Sequence, residues 1–224
     1  MANGKENNPR KMMGLNPEKQ CLKVVVFDCD GVIFDSKEAN ISFYKNVIEI
    51  FGRHPMTDDE MRYIHISTME EAIKRLFPGD ARIKDIIAYC EKIDLSPYME
   101  MTRIEPGLKE ILAKIKTFYR TAIATNRGKD IHLSLRRFEI ENAFDMVVSA
   151  MDVSNPKPDP EALNLIMKRF GCIPSEVIFI GDSEVDWETS VRAGVFFIAF
   201  KNKKIQAHYY IDNLSELLEY LKIS

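Results

Sequence analysis

Two rhythms of hydrophobic residues alternate along this chain. Short stretches rich in β-branched or aromatic residues stand at 24–27, 119–125, 146–149, 177–180 and 195–200. Between them the apolar positions take helical spacing, as at Leu108, Ile111, Leu112 and Ile115. The run VVVF at 24–27 has no polar alternation, which suits a strand buried on both faces of a parallel sheet. Strands alternating with helices predict an α/β architecture, a Rossmann-like parallel sheet with helices on both faces.

The strand rhythm is interrupted once. Over residues 37–103 the β-branched runs vanish. Ile41, Tyr44, Val47, Ile48 and Phe51 mark one face of a helix, which Gly52 ends. Thr57 with Glu60, and Thr68 with Glu71, fit the capping-box spacing. Pro78 and Gly79 break the next helix, and Asp80 is placed to cap another, with Ile83, Ile86, Ile87 and Cys90 on its apolar face. The expectation is a four-helix cap domain at 37–103, inserted in a core domain made of 21–36 and 104–224. The polar, slightly basic residues 1–20 are expected to form a flexible N-terminal arm, and they lack the apolar centre of a secretory leader.

Composition narrows the picture modestly. The chain has 224 residues, 46% hydrophobic and 29% charged, as in an ordinary soluble domain with one insert. A net charge of −3 gives no bulk attraction to nucleic acid or to a membrane. Four cysteines in no paired framework point to a reduced, cytoplasmic protein. Neither a nucleic acid nor a membrane is expected as a partner. The chain is expected to act as monomer or homodimer.

Candidate chemistry sits just after the strands or in loops entering helices. Asp28 and Asp30 follow the first strand, Thr125 ends the second, Lys157 lies in NPKPDP at 155–160, and Asp182 and Asp186 follow the fourth strand. If those strands are neighbours, the groups converge on one cleft at the carboxyl edge of the sheet. Crowded carboxylates repel one another, and a divalent cation relieves this; hard oxygen donors suit Mg²⁺. Acids, a metal, a lysine and a hydroxyl together fit a bound phosphate, so a small phosphorylated metabolite is the expected partner.

DCDGVIFDS, the TN at 125–126, NPKPDP and GDSEVD resemble, in order, the four motifs of the haloacid dehalogenase superfamily. The resemblance extends over residues 24–200, and the helical insert is similar to the cap of phosphoglycolate-phosphatase-like and β-phosphoglucomutase-like members. It implies a strand order of 5-4-1-2-3 and a Mg²⁺-dependent phosphatase working through an aspartyl-phosphate. Asp28 would be the nucleophile, and Asp30 the acid and then the base. Thr125, Asn126 and Lys157 would grip phosphate. Mg²⁺ would be held by Asp28, the Asp30 carbonyl and Asp182, with Asp186 holding a metal-bound water or bracing Lys157. An aspartate at position 30 favours phosphatases and phosphomutases, because an alkoxide leaving group needs a proton. A phosphomutase is the alternative reading, and a non-catalytic binding protein on the same scaffold is a second one.

Other residues take blander expectations. Cys29 should point away from the two aspartates along the strand, and no arginine follows at the spacing of a cysteine phosphatase loop. Asp35 and Ser36 should form the hinge into the cap. Arg127, His65 and Arg75 are expected at the surface, and Trp187 in packing.

Overall fold

The first strand, β1 (Val24–Phe27), lies at the centre of the sheet, and all four of its residues are buried. A computed structural model describes residues 22–128 and 130–223 of the chain. The arm expected at 1–20 lies outside the described residues. After β1 come β2 (Phe34–Asp35), the helices α1 (Lys37–Ile50), α2 (Asp58–Ile66), α3 (Met69–Leu76), α4 (Ile83–Cys90) and α5 (Ser96–Met101), then β3 (Arg103–Ile104). The chain continues through α6 (Leu108–Lys116), β4 (Arg120–Ala124), α7 (Asp130–Arg137), β5 (Met146–Val148), α8 (Glu161–Phe170) and β6 (Val177–Gly181). It closes with α9 (Glu184–Ala193), β7 (Phe196–Phe200), β8 (Tyr209–Ile211) and α10 (Ser215–Leu221).

Among the described residues the main sheet has six parallel strands in the order β5-β4-β1-β6-β7-β8. The five expected strands keep their expected neighbours, and β8 adds a sixth at one edge. Its sequence hid it, since two of its three residues are exposed and no buried run marks it. Alternation along β1 shows why that strand reads as continuously apolar. Val25 and Phe27 face one layer, with α6, α7 and α10; Val24 and Val26 face the other, with α8 and α9.

The insert between β2 and β3 holds five helices rather than four. The additional α5 has six residues, none buried, too few to show an apolar stripe. The insert packs its own cluster, which includes Tyr44, Val47, Ile73, Leu76 and Ile86. Both capping boxes form, at Thr57–Glu60 and Thr68–Glu71. Asp80 does not cap α4 directly: its carboxylate accepts from the Arg82 backbone N–H at 2.8 Å, and Arg82 is the residue that precedes the helix. The two crossings between insert and core pair with each other as the antiparallel β2 and β3.

Register positions the site. Phe27 is level with Ile123 of β4 and Ile180 of β6. One step further along these parallel strands come Asp28, Ala124 and Gly181, so Thr125 and Asp182 emerge beside the Asp28–Asp30 turn.

Candidate active site

Asp28 is almost fully buried, and its backbone N–H donates to the Ile180 carbonyl at 2.8 Å. The turn after it is tight, with the Ile33 and Phe34 amides both donating to the Cys29 carbonyl. Gly31 makes this turn at φ +81°. A Cβ there would lie 2.1 Å from an Asp182 carboxylate oxygen, so only glycine lets that carboxylate approach the turn.

Lys157 reaches in from the loop before α8. Its Nζ donates to Asp28 Oδ1 at 2.7 Å and to Asp186 Oδ1 at 2.6 Å. Asp186, in the first turn of α9, is fully buried. Its other oxygen accepts from the Ser183 amide at 3.2 Å, while Ser183 Oγ accepts from the Asp186 amide at 3.2 Å. That capping box fixes the helix start and aims the remaining carboxylate oxygen at Lys157. Gly181 makes room for it, since a Cβ there would lie 2.5 Å from the Asp186 Cβ.

Carboxylate oxygens of Asp28, Asp182 and Asp186 lie within 4.8 Å of one another. Burial is the main force pushing the Asp28 carboxyl up to about 7; the Asp186 charge adds to it and Lys157 opposes it. Burial likewise raises Asp182 well above the ordinary carboxylate range, with Asp186 and Asp28 contributing. Burial disfavours the Lys157 ammonium, but Asp186 and Asp28 outweigh it and hold that charge more firmly than usual. Three acids against one ammonium leave negative charge unbalanced, and their oxygens are the donor type that a hard divalent cation takes. The residues present therefore fit such an ion.

The Asp30 side chain stands outside this cluster. Its Oδ2 pairs with Arg127 Nε at 3.2 Å, and its Oδ1 accepts from the Ser36 hydroxyl. Thr125 is buried, and its Oγ1 accepts from the Arg127 amide at 3.2 Å. The Asn126 side chain clasps the Lys157 loop, accepting from the Lys157 amide at 2.9 Å and donating to the Lys157 carbonyl at 3.0 Å. Its Nδ2 also donates to the Ile66 carbonyl at the end of α2, which ties the insert to the core.

Two residues expected at the surface are in the cleft. Arg127 pairs with Asp30 and Asp130 and lies 5.6 Å from the Phe34 ring centroid. Charge partners on either side draw its guanidinium inward, and Asp130, three residues on, was the available signal. His65 lines the cleft from the insert, its Nδ1 3.2 Å from Asn40 Nδ2. The sequence held no signal for it, because Asn40 is 25 residues away. Arg75 is at the surface, paired with Asp59, and Trp187 packs on Phe197 and His208. Cys29 is buried in the core cluster, and burial pushes its thiol well above the ordinary range, so it is no nucleophile at neutral pH.

Comparison with known proteins gives one family. The model of the haloacid dehalogenase-like hydrolases matches residues 25–200. A phosphorylated carbohydrates phosphatase of Thermotoga maritima is 31% identical over 78% of this chain and 82% of its own length. The pyrophosphatase PpaX of Bacillus velezensis is 27% identical over 77% of this chain and 80% of its own. A solved structure of a haloacid dehalogenase superfamily hydrolase from Geobacter sulfurreducens superposes with a TM-score of 0.72 at 34% identity, covering 90% of this chain and 97% of that one.

Proposed function

This chain belongs to the haloacid dehalogenase-like hydrolases, and from that premise we propose that it is a Mg²⁺-dependent phosphatase of a small phosphomonoester, acting through an aspartyl-phosphate on Asp28. The observation that carries the reading is the Lys157 ammonium seated between Asp28 and Asp186, with Asp182 in the same cluster, at the carboxyl edge of the sheet. Its three described cysteines are free, as a reducing cytoplasm would keep them.

Lys157 takes Asp28 Oδ1, so attack on phosphorus is assigned to Oδ2. The new bond joins that oxygen to phosphorus, and the bond to the ester oxygen breaks. Asp30 in its protonated form gives that proton to the departing alkoxide, which leaves as an alcohol. Asp30 then takes a proton from water as that water attacks phosphorus, releasing phosphate and restoring the Asp28 carboxylate. Ser36 and Arg127 hold the Asp30 carboxyl beside the site through this exchange. Thr125 and Lys157 are assigned to the phosphoryl oxygens, and Asn126 keeps the Lys157 loop in place. The insert excludes water from the first step. Asp28, the Asp30 carbonyl and Asp182 would hold Mg²⁺, with Asp186 next to it bracing Lys157; the ion would offset charge repulsion between the carboxylate and the phosphoryl group.

The direct test is phosphate release from a panel of phosphate esters. Turnover is expected with Mg²⁺, loss of it in EDTA, and recovery when Mg²⁺ is returned. Full activity after exhaustive EDTA treatment would remove the metal from the reading.

Gly31→Ala supplies a second test. The added methyl group must displace the Asp182 carboxylate, and the backbone at φ +81° resists any side chain. A misplaced group at a reacting centre costs roughly 100-fold in rate. Activity should fall by about that much and the Mg²⁺ concentration for half-maximal activity should rise, while the melting temperature drops only a few degrees. An unchanged Mg²⁺ requirement would detach Asp182 from the metal.

A further inference from the structure

Asp28, Asp30, Thr125 and Lys157 open into a cleft of about 620 Å³ that continues under the insert. That volume is well beyond what a phosphoryl group and a two-carbon acid need, and falls where sites for drug-sized ligands fall, at roughly 300–1,000 Å³. The insert side of the cleft is mainly apolar, with Phe43, Tyr44, Met69, Leu95, Tyr98 and Met99 all facing it. Phe43 stands edge-on to both Tyr44 and Tyr98, with centroids 5.0 Å and 5.3 Å apart, so the three rings form a fixed aromatic corner. Phe43 and Tyr98 are only half-buried and retain surface toward the cleft.

Charge points the same way. Among the described residues, six carboxylates line the cleft, with Lys92, Arg127, Lys157 and the His65 imidazole as its basic side chains. Lys157 is committed to Asp28 and Asp186, and Arg127 to Asp30 and Asp130. Lys92 is exposed, beside Glu91. Glu70, Glu91 and Asp130 also line the cleft, Glu70 paired with Lys74 and Asp130 with Arg127, so acidic groups outnumber basic ones in the described lining and favour an uncharged group over a second anionic one.

Resting on the phosphatase reading, we infer that the leaving group is an uncharged alcohol bearing a planar aromatic ring, which packs into the Phe43–Tyr44–Tyr98 corner. Phe43 and Tyr98 then determine specificity. Aromatic rings prefer edge-on and offset packing on one another, and an apolar pocket discriminates by about 10-fold or more per matched group.

The experiment compares kcat/KM for 2-phenylethyl phosphate, 2-phosphoglycolate, inorganic pyrophosphate and glucose 6-phosphate in the Mg²⁺-loaded enzyme. The aromatic ester should exceed each of the others by about 10-fold. Phe43→Ala and Tyr98→Ala should each reduce the preference over glucose 6-phosphate by about 10-fold, mainly through KM. Free 2-phenylethanol should compete against the aromatic ester in the wild-type enzyme, a readout that needs no variant to fold. Equal or better turnover of any of the other three substrates overturns the inference and leaves the phosphatase reading standing. If none of the four is hydrolysed the inference is overturned, and the wider ester panel decides the phosphatase reading separately.

Discussion

Asp28→Asn is expected to abolish phosphatase turnover, by roughly 10⁴-fold or more, while the protein stays folded. The amide has the shape of the carboxylate but cannot form the acyl-phosphate bond. Lys157 keeps its contact with Asp186, so the substitution leaves the ammonium paired. Stability should respond with a definite sign. The Asp28 carboxyl is pushed up to about 7, chiefly by burial and then by the Asp186 charge. Its ordinary value is about 3.9. A raised folded value gives stability that is fully present below the ordinary value and lost as pH climbs through about 7. Asparagine has no such proton to lose. In EDTA, the stability of the variant relative to the wild type should therefore grow between about pH 4 and pH 7, by on the order of 1–4 kcal/mol. Urea denaturation across that range measures it. A wild-type rate in the variant would end the nucleophile assignment, and a flat stability difference would end the electrostatic account of the buried carboxyl.

What the sequence disclosed about this site follows from where its residues sit on the sheet. Asp28 ends an uninterrupted apolar run, and Asp182 follows another, because both strands are central and buried on two sides. Parallel register then makes their carboxyl ends coincide, so positions 28, 125 and 182 could be grouped before any coordinates. Lys157 could be grouped with them by its place in the loop entering a helix and by the likeness of NPKPDP to a known motif, for no periodicity says where a loop lysine points. Arg127 and His65 escaped because Asp30 and Asn40 belong to other segments, and the local signal at Asp130 gives Arg127 a partner but no direction. The same limit hid β8 and α5, which are short and half-exposed and show no repeat. Long buried elements announce themselves; edge strands, short helices and pairs between distant segments depend on the finished fold.

Lys157→Met should damage the protein in two separable ways. Lys157 is the counter-ion of two carboxylates that are buried, one of them completely. Removing it leaves uncompensated charge in the interior, which costs roughly 3–5 kcal/mol at a buried pair. The loss should be largest above neutral pH in EDTA, where Asp28 is ionised, and should shrink when Mg²⁺ is added. Adding Asp186→Asn to the same protein removes part of the stranded charge and should restore much of the stability. It should not restore turnover, because the donor assigned to the phosphoryl oxygens is still missing. Urea denaturation with and without Mg²⁺ gives the first result, and phosphate release from the best ester gives the second. A single variant as stable as the wild type at pH 8 would show that the lysine is no counter-ion. A double variant that regains turnover would show that it touches no phosphate, and the chemistry assigned to the cleft would have to be drawn without it.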